Sequence, residues 1–277
     1  MKRRECVSIM QDLLLYFSLK YKGDFNKIYE ALLKKEAVNV FEKDMLKKRL
    51  EISGCNYTTL VSDNYPMALK LINCSPFVLY YYGDISLLDE KTISLIGTRQ
   101  PSPLGEETTK NITQELVNNN FVMIAGLEKG IGAFIHQEGW NNNGRTIAVM
   151  HGGIENNPIK ENSELYNHLK NEQLIISEYP GYVEPTLQQL GLRSRLITAF
   201  SDALVIIETR EEQECLSAQY YAFEQGKEVF CIPSDFGCEI SGNIHALESG
   251  AKIYTGIESL YKEDLYLEEE CEDGLEM

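Results

Sequence analysis

"TISLIGTRQPSPLGEETTKNITQELVNNNFVMIAG", residues 92–126, opens on an apolar run and turns at Gly97. It then passes through a stretch of helical spacing and closes on a second apolar run ending at Gly126. Short apolar runs bounded by glycine suit strands buried on both faces, and the segment between them is too long for a hairpin. Strand, helix and strand in this order form a crossover unit, which joins parallel neighbours. The alternation continues through "TIAVM" (146–150), "LIISE" (174–178), "ALVIIE" (203–208), "EVFCIP" (228–233) and "KIY" (252–254). The helical stretches "GAFIHQEGWNN", "ENSELYNHLKN", "TLQQLGLRSRLITAFS" and "CLSAQYYAFEQG" lie between. The expected fold is α/β, a doubly wound parallel sheet covered by helices on both faces.

Ahead of this region the pattern differs. "IMQDLLLYFSL", "IYEALL" and "MLKKRLEI" cluster apolar residues at helical spacing between lysine-rich positions, which predicts a small helical domain over residues 1–62. The α/β domain then occupies 63–262, entered through a bridge in which "FVLYYYG" (77–83) has strand composition. Residues 263–277 carry eight acidic and no basic residues and read as an acidic tail.

The chain has 277 residues, 43% hydrophobic, and a formal net charge of −16. No apolar run is long enough for a membrane helix and no leader with a cleavage site is evident, so the expected place is the cytoplasm, with no membrane partner. Seven scattered cysteines without a CxxC pair indicate neither a disulfide framework nor a zinc site. The acidity opposes nucleic-acid binding over the whole surface, but residues 1–60 hold twelve Lys/Arg against eight Asp/Glu, so a local basic patch is compatible with the composition.

In an open α/β sheet, ligands collect where strands end and helices begin. At the first such place, Gly97, Thr98, Arg99 and Ser102 follow a strand: glycine closes the turn, hydroxyls donate, and an arginine fork fits phosphate, unless this is an ordinary turn with an exposed arginine. The second, "AGLEKGIGAFIH" (125–136), is a glycine loop containing Lys129, with His136 one turn into the helix. At the third, Arg193 and Arg195 flank a serine. Anion binding is the favoured reading, and pairing with Glu178 or Glu208 at neighbouring strand ends is the alternative. The fourth, "SEYP" (177–180), places Glu178 at a strand end, to anchor an arginine or accept a sugar hydroxyl. Glycine spacing does not fit G-x-G-x-x-G, and there is no nucleophile elbow, Walker lysine loop or metal cluster, so no cofactor, metal or catalytic set is expected.

Taken in order, these stretches resemble motifs of the DprA (Smf) family of bacterial DNA-processing proteins, from about Tyr65 to Tyr254. The family's YP…L segment appears as "YPMALKLINCSP" and its G-S-R-x-x-S turn as "GTRQPS". Its S-G-x-A-x-G-I-D-x-x-A-H loop is "AGLEKGIGAFIH", followed by "TIAVM" and "SEYP". F-P-x-R-N-R-I-I appears as "LGLRSRLI", V-V-E-A as "IIET", and E-Q-G-R-x-V-F-A-V-P-G as "EQGKEVFCIPS". The resemblance implies a helical (SAM-like) domain before an extended Rossmann-like domain with a mostly parallel sheet. It also implies a homodimer that binds single-stranded DNA and loads the RecA recombinase onto it in natural transformation, without catalysis. Arg99, Arg193 and Arg195 would then hold phosphates, with Gly97, Thr98 and Ser102 donating beside them and Lys129 nearby. Two other classes stay open: a nucleoside-monophosphate-cleaving Rossmann enzyme, for which the P-G-G-x-G-T loop is missing, and a degenerate paralogue that keeps a protein partner but binds DNA weakly. The departures are Ala125 and Gly132 for the loop's serine and aspartate, Leu190 and Gly191 for the aromatic and proline, and Gln213, Glu214 and Cys215 in place of small residues. A carboxylate at 214 would compete with phosphate for a helix N-terminus.

Overall fold

The computed structural model describes residues 2–210, 213–233 and 242–261, without the side chains of residues 2–4, 213 and 214. Three helices come first: α1 (Lys2–Lys20), α2 (Phe25–Leu33) and α3 (Val40–Ser53). Asp24 and Asn39 cap α2 and α3 by accepting the amides of Lys27 and Glu42, both at 3.1 Å, and Gly54 ends α3 in the left-handed region. Tyr16, Phe17, Ile28 and Ala31 make a small core of their own. Leu14, Leu15 and Leu50 instead join a cluster with Tyr80 and Ile175 of the sheet, so the helical part shares its core with the sheet.

The remaining elements, in chain order, are β1 (Asn56–Thr59), α4 (Met67–Lys70), β2 (Val78–Gly83), β3 (Thr92–Ile96), α5 (Pro103–Asn118), β4 (Val122–Gly126), α6 (Ile131–Asn141) and β5 (Arg145–Val149). After them come α7 (Ser163–Glu172), β6 (Leu174–Ser177), α8 (Leu187–Ala199), β7 (Ala203–Ile206), α9 (Gln213–Glu224), β8 (Glu228–Cys231), α10 (Gly242–Glu248) and β9 (Lys252–Ile253). Among the described residues they build one sheet in the order β1-β2-β6-β5-β4-β3-β7-β8-β9. From β6 to β9 all neighbours are parallel, whereas β1 and β2 add antiparallel to the β6 edge. The expected α/β, mostly parallel, doubly wound sheet is therefore present.

One boundary is corrected. The sheet begins inside the expected helical segment 1–62, because "NYTT" pairs with β2 from Asn56 onward. A polar edge strand of four residues carries neither an apolar run nor a clear alternation, so composition alone reads it as loop. The expected acidic tail, 263–277, lies outside the described residues.

Strand side chains alternate between two buried faces. Ile124, Val149, Ile176 and Ile206 pack with Leu196 and Ile197 of α8 and Ala218 and Ala222 of α9. Leu95, Met123, Ala125 and Val205 pack on the other side with Ile112 and Leu116 of α5 and Ile131 and Ile135 of α6. Each fully buried Leu or Ile contributes about 1.5–3 kcal/mol, and burial on both faces is what the unbroken apolar runs encode. The chain winds from β3 outward to β6, and α8 then carries it back to β7 on the other side of β3. The carboxyl ends of β3 and β7 thus form the topological switch point.

Candidate nucleic-acid interface

Two glycine-rich loops abut at the carboxyl edge of the sheet. The Ile131 amide donates to the Thr98 carbonyl at 3.0 Å, and a Cβ on Gly97 would lie 2.6 Å from the Ile131 side chain. Gly130, at φ +88°, sits so close that a Cβ there would meet the Thr98 carbonyl oxygen at 2.4 Å and the Arg99 Cα at 2.5 Å. This contact brings Arg99 and Lys129, both exposed, to one rim. Lys129 pairs with Glu161 at 2.7 Å with both side chains about two-thirds exposed, a solvent-screened contact readily exchanged for another anion.

The other donors of the first loop are turned inward. Thr98 is buried; its amide donates to the Glu208 carbonyl at 2.7 Å, and its hydroxyl oxygen accepts the Gln100 amide at 3.2 Å. Ser102 caps α5, accepting the Gly105 amide at 3.0 Å, while its own amide and hydroxyl donate to the Glu208 carboxylate at 3.0 and 3.1 Å. The anion place at the N-terminus of α5 is therefore filled by Glu208, and a Cβ on Gly105 would fall 1.8 Å from its Oε2.

Arg193 and Arg195, expected to hold phosphates together, are each only 3% exposed. Both lie within α8, where two residues of separation turn side chains about 200° apart, so they cannot share one ligand. Arg195 Nη2 donates to both Glu178 oxygens at 2.7 and 2.8 Å and to the Cys74 carbonyl at 3.0 Å, tying α8 to β6 and to the bridge segment. Arg193 lies beneath Gly126 and grips Glu128 with its fork, Nη2 to Oε1 at 3.2 Å and Nη1 to Oε2 closer still. The pairing alternative thus describes these arginines, with Glu178 as foreseen, but Glu208 caps α5 and an unforeseen Glu128 holds Arg193.

Burial raises the Glu178 carboxyl above its ordinary value despite the guanidinium beside it. Desolvation would pull Arg195 down, but the charge and hydrogen bonds of Glu178 raise it above its ordinary value. Glu128 behaves differently: burial pushes its carboxyl up, and the charge and hydrogen bonds of Arg193 more than reverse this.

Glu128 also explains the departure at Gly132. Its Oε1 lies 3.2 Å from where a Cβ at 132 would stand, so a carboxylate from 128 occupies the space beside 132, the position at which the resembled motif has aspartate, with alanine at 128. The paired exchange, A-x-G-I-D against "EKGIG", was the available signal. Beneath the rim, Gly97, Gly126, Gly132, Arg193, Ser194 and Cys215 enclose only about 10 Å³, room for roughly one water and not for a nucleotide. The backbone of Glu214 belongs to α9, but its side chain lies outside the described residues.

Two histidines flank the pair. His136 is fully buried, its ring against the Ala125 and Gly126 carbonyls without hydrogen-bond geometry, and desolvation lowers it to about 4. His151 is lowered to about 4 by desolvation and then by the charges of Arg193 and Arg99. Both stay neutral in the fold while the unfolded chain takes up protons near 6.5, so they stabilise fully above that value. Unfolding followed from pH 7.5 downward should show stability falling between about 6.5 and 4, and His136→Gln/His151→Gln should flatten that slope.

Comparison with known proteins follows the same outline. The sequence model for "DNA recombination-mediator protein A" matches residues 56–264. The DNA processing protein DprA of Bacillus subtilis is 30% identical over 86% of this chain and 81% of its own length. That of Streptococcus pneumoniae is 30% identical over 71% of this chain and 70% of its own. The X-ray structure of the S. pneumoniae protein superposes with a TM-score of 0.71 at 24% identity, covering 92% of this chain and 93% of the other, which supports the fold. DNA processing protein A from Helicobacter pylori, whose structure describes a single-stranded DNA binding mode, superposes at 0.66 with 26% identity, over 76% of this chain and 96% of that one. With its ordered motifs, its sheet and these matches, the chain belongs to the DNA recombination-mediator protein A family.

Proposed function

We propose that this chain binds single-stranded DNA without sequence preference, hands it to a RecA-type recombinase, and works as a homodimer in the cytoplasm without making or breaking bonds. The observation that carries the reading is the rim where Gly130 packs on Arg99, presenting Arg99 and Lys129 at the switch-point edge. Arg99 contacts phosphate, and Lys129 exchanges Glu161 for a second one. Gly97, Thr98 and Ser102 shape the loop, Arg193 braces the neighbouring glycine loop from beneath, and Arg195 holds α8 to Glu178 and the bridge segment. Phosphate contacts of this kind give affinity without reading sequence. The H. pylori relative's single-strand binding supports the assignment. Among the described residues no helix is long and apolar enough to cross a membrane.

Titration of poly-dT against the wild type and Arg99→Ala tests the reading. Binding is expected at low salt, and the variant should be about tenfold or more weaker with a salt slope lower by about one. Equal affinity of the two proteins, or no binding by the wild type even at low salt, would overturn it. Release of free base from nucleoside monophosphates would favour the enzymatic alternative.

A further inference from the structure

A second cleft lies on the same edge of the sheet, between the helical part and the turn after β6. It has a volume of about 350 Å³, within the range of small-molecule sites. Leu19, Leu46 and Leu50 line it, Lys22 and Arg49 bring cations, Glu155 brings a carboxylate, and Tyr182 stands on the turn formed with Pro180, Gly181 and Val183. Lys22 and Arg49 are exposed and make no ion pair among the described residues.

The walls are fixed before any ligand arrives. The Gly153 amide donates to the Val183 carbonyl at 2.8 Å, the Ile154 amide to Tyr179 at 2.9 Å and the Glu155 amide to Gly181 at 3.0 Å, while Asn156 Nδ2 reaches Val183 at 2.7 Å. The opposite wall is docked through Gly23, whose Cβ would strike the Glu178 carbonyl oxygen at 2.7 Å. On this rigid turn the Tyr182 side chain remains 75% exposed. An exposed, pre-positioned ring beside an apolar floor and two cations is the arrangement that stacks a base and holds its phosphate, while a carboxylate accepts the donor edge of the base or a sugar hydroxyl.

We propose that this cleft binds one nucleotide unit, its base on Tyr182 and its phosphate between Lys22 and Arg49, as a second contact for the strand held at the Arg99 rim. The proposal rests on the single-strand reading above. The two places are close: His151 is near enough to Arg99 to respond to its charge, and Glu155, four residues on, lines the cleft. Four extended residues span at most about 14 Å, a distance that a few nucleotides of one strand can bridge.

Oligo-dT of about twenty nucleotides is titrated against wild type, Arg99→Ala, Tyr182→Ala and Arg49→Ala, and thymidine monophosphate is titrated in parallel. The altered side chains are exposed, so the fold is preserved. Tyr182→Ala should weaken the oligomer about tenfold with an unchanged salt slope, and Arg49→Ala should weaken it with a slope lower by about one. If the oligomer is indifferent to both changes but the monophosphate binds in a Tyr182-dependent manner, the cleft takes a free nucleotide and its role as a second contact for the strand is overturned. If neither ligand responds to Tyr182 or Arg49, the cleft assignment is overturned, while a loss confined to Arg99→Ala leaves the single-strand reading intact. A wild type that binds no oligomer overturns that reading, and the monophosphate still decides the cleft.

Discussion

Arg195→Leu should lower the unfolding free energy by about 3–5 kcal/mol, because it leaves the Glu178 carboxyl, 5% exposed, without the guanidinium that offsets its burial. Two Nη2 contacts to the carboxylate and one to the Cys74 carbonyl vanish together, and the bridge segment loses its tie to α8. The double variant Arg195→Leu/Glu178→Leu should recover most of that loss. Removing both charges leaves no buried ion without its counter-charge, and apolar side chains of similar size in place of a buried pair are often close to neutral. Denaturant unfolding of wild type, both single variants and the double variant measures the cycle. Additive losses in the double variant would show that the pair is not coupled as described.

Glu128→Ala should cost up to about 3–5 kcal/mol, since it removes the carboxylate that both Nη atoms of Arg193 grip while that side chain is only 2% exposed. Gly132→Asp, which restores the residue type of the family's loop, should not be benign in the wild-type background. Its Cβ would lie 2.4 Å from the Gly126 carbonyl oxygen and 3.2 Å from Glu128 Oε1, setting two carboxylates against one guanidinium. Combining Gly132→Asp with Glu128→Ala removes the like-charge contact and sets one carboxylate beside Arg193 again. The double variant should therefore melt above Gly132→Asp, the close approach to the Gly126 carbonyl being common to the two. If Gly132→Asp alone matches the wild type in thermal unfolding, Glu128 is not the substitute carboxylate.

The sheet was legible because β3 to β8 are buried on both faces and so appear as unbroken apolar runs, whatever packs on them. β1 was not, since its stability comes from pairing with β2 rather than from its own polar residues. The rim was legible from Gly97 and Arg99 after a strand. The fate of Arg193 and Arg195 was hidden because it depends on where α8 starts. Thr186 and Gln189 form a capping box that begins the helix at Leu187, placing both arginines inside it on different faces. Glu128, next to a lysine in a glycine loop, reads as a solvated charge; only the fold shows Arg193 arriving beneath it from sixty-five residues away.

The proposed function assigns Arg99 to DNA and leaves Arg193 and Arg195 to hold the protein together. Its most direct test is a pair of measurements on the same preparations: poly-dT affinity at low salt and thermal midpoint, for Arg99→Ala and for Arg195→Leu/Glu178→Leu. Arg99→Ala should keep the wild-type midpoint and lose about tenfold or more in affinity, whereas the paired replacement should bind DNA like the wild type. A folded double variant that no longer binds, beside an Arg99→Ala protein that still does, would contradict it.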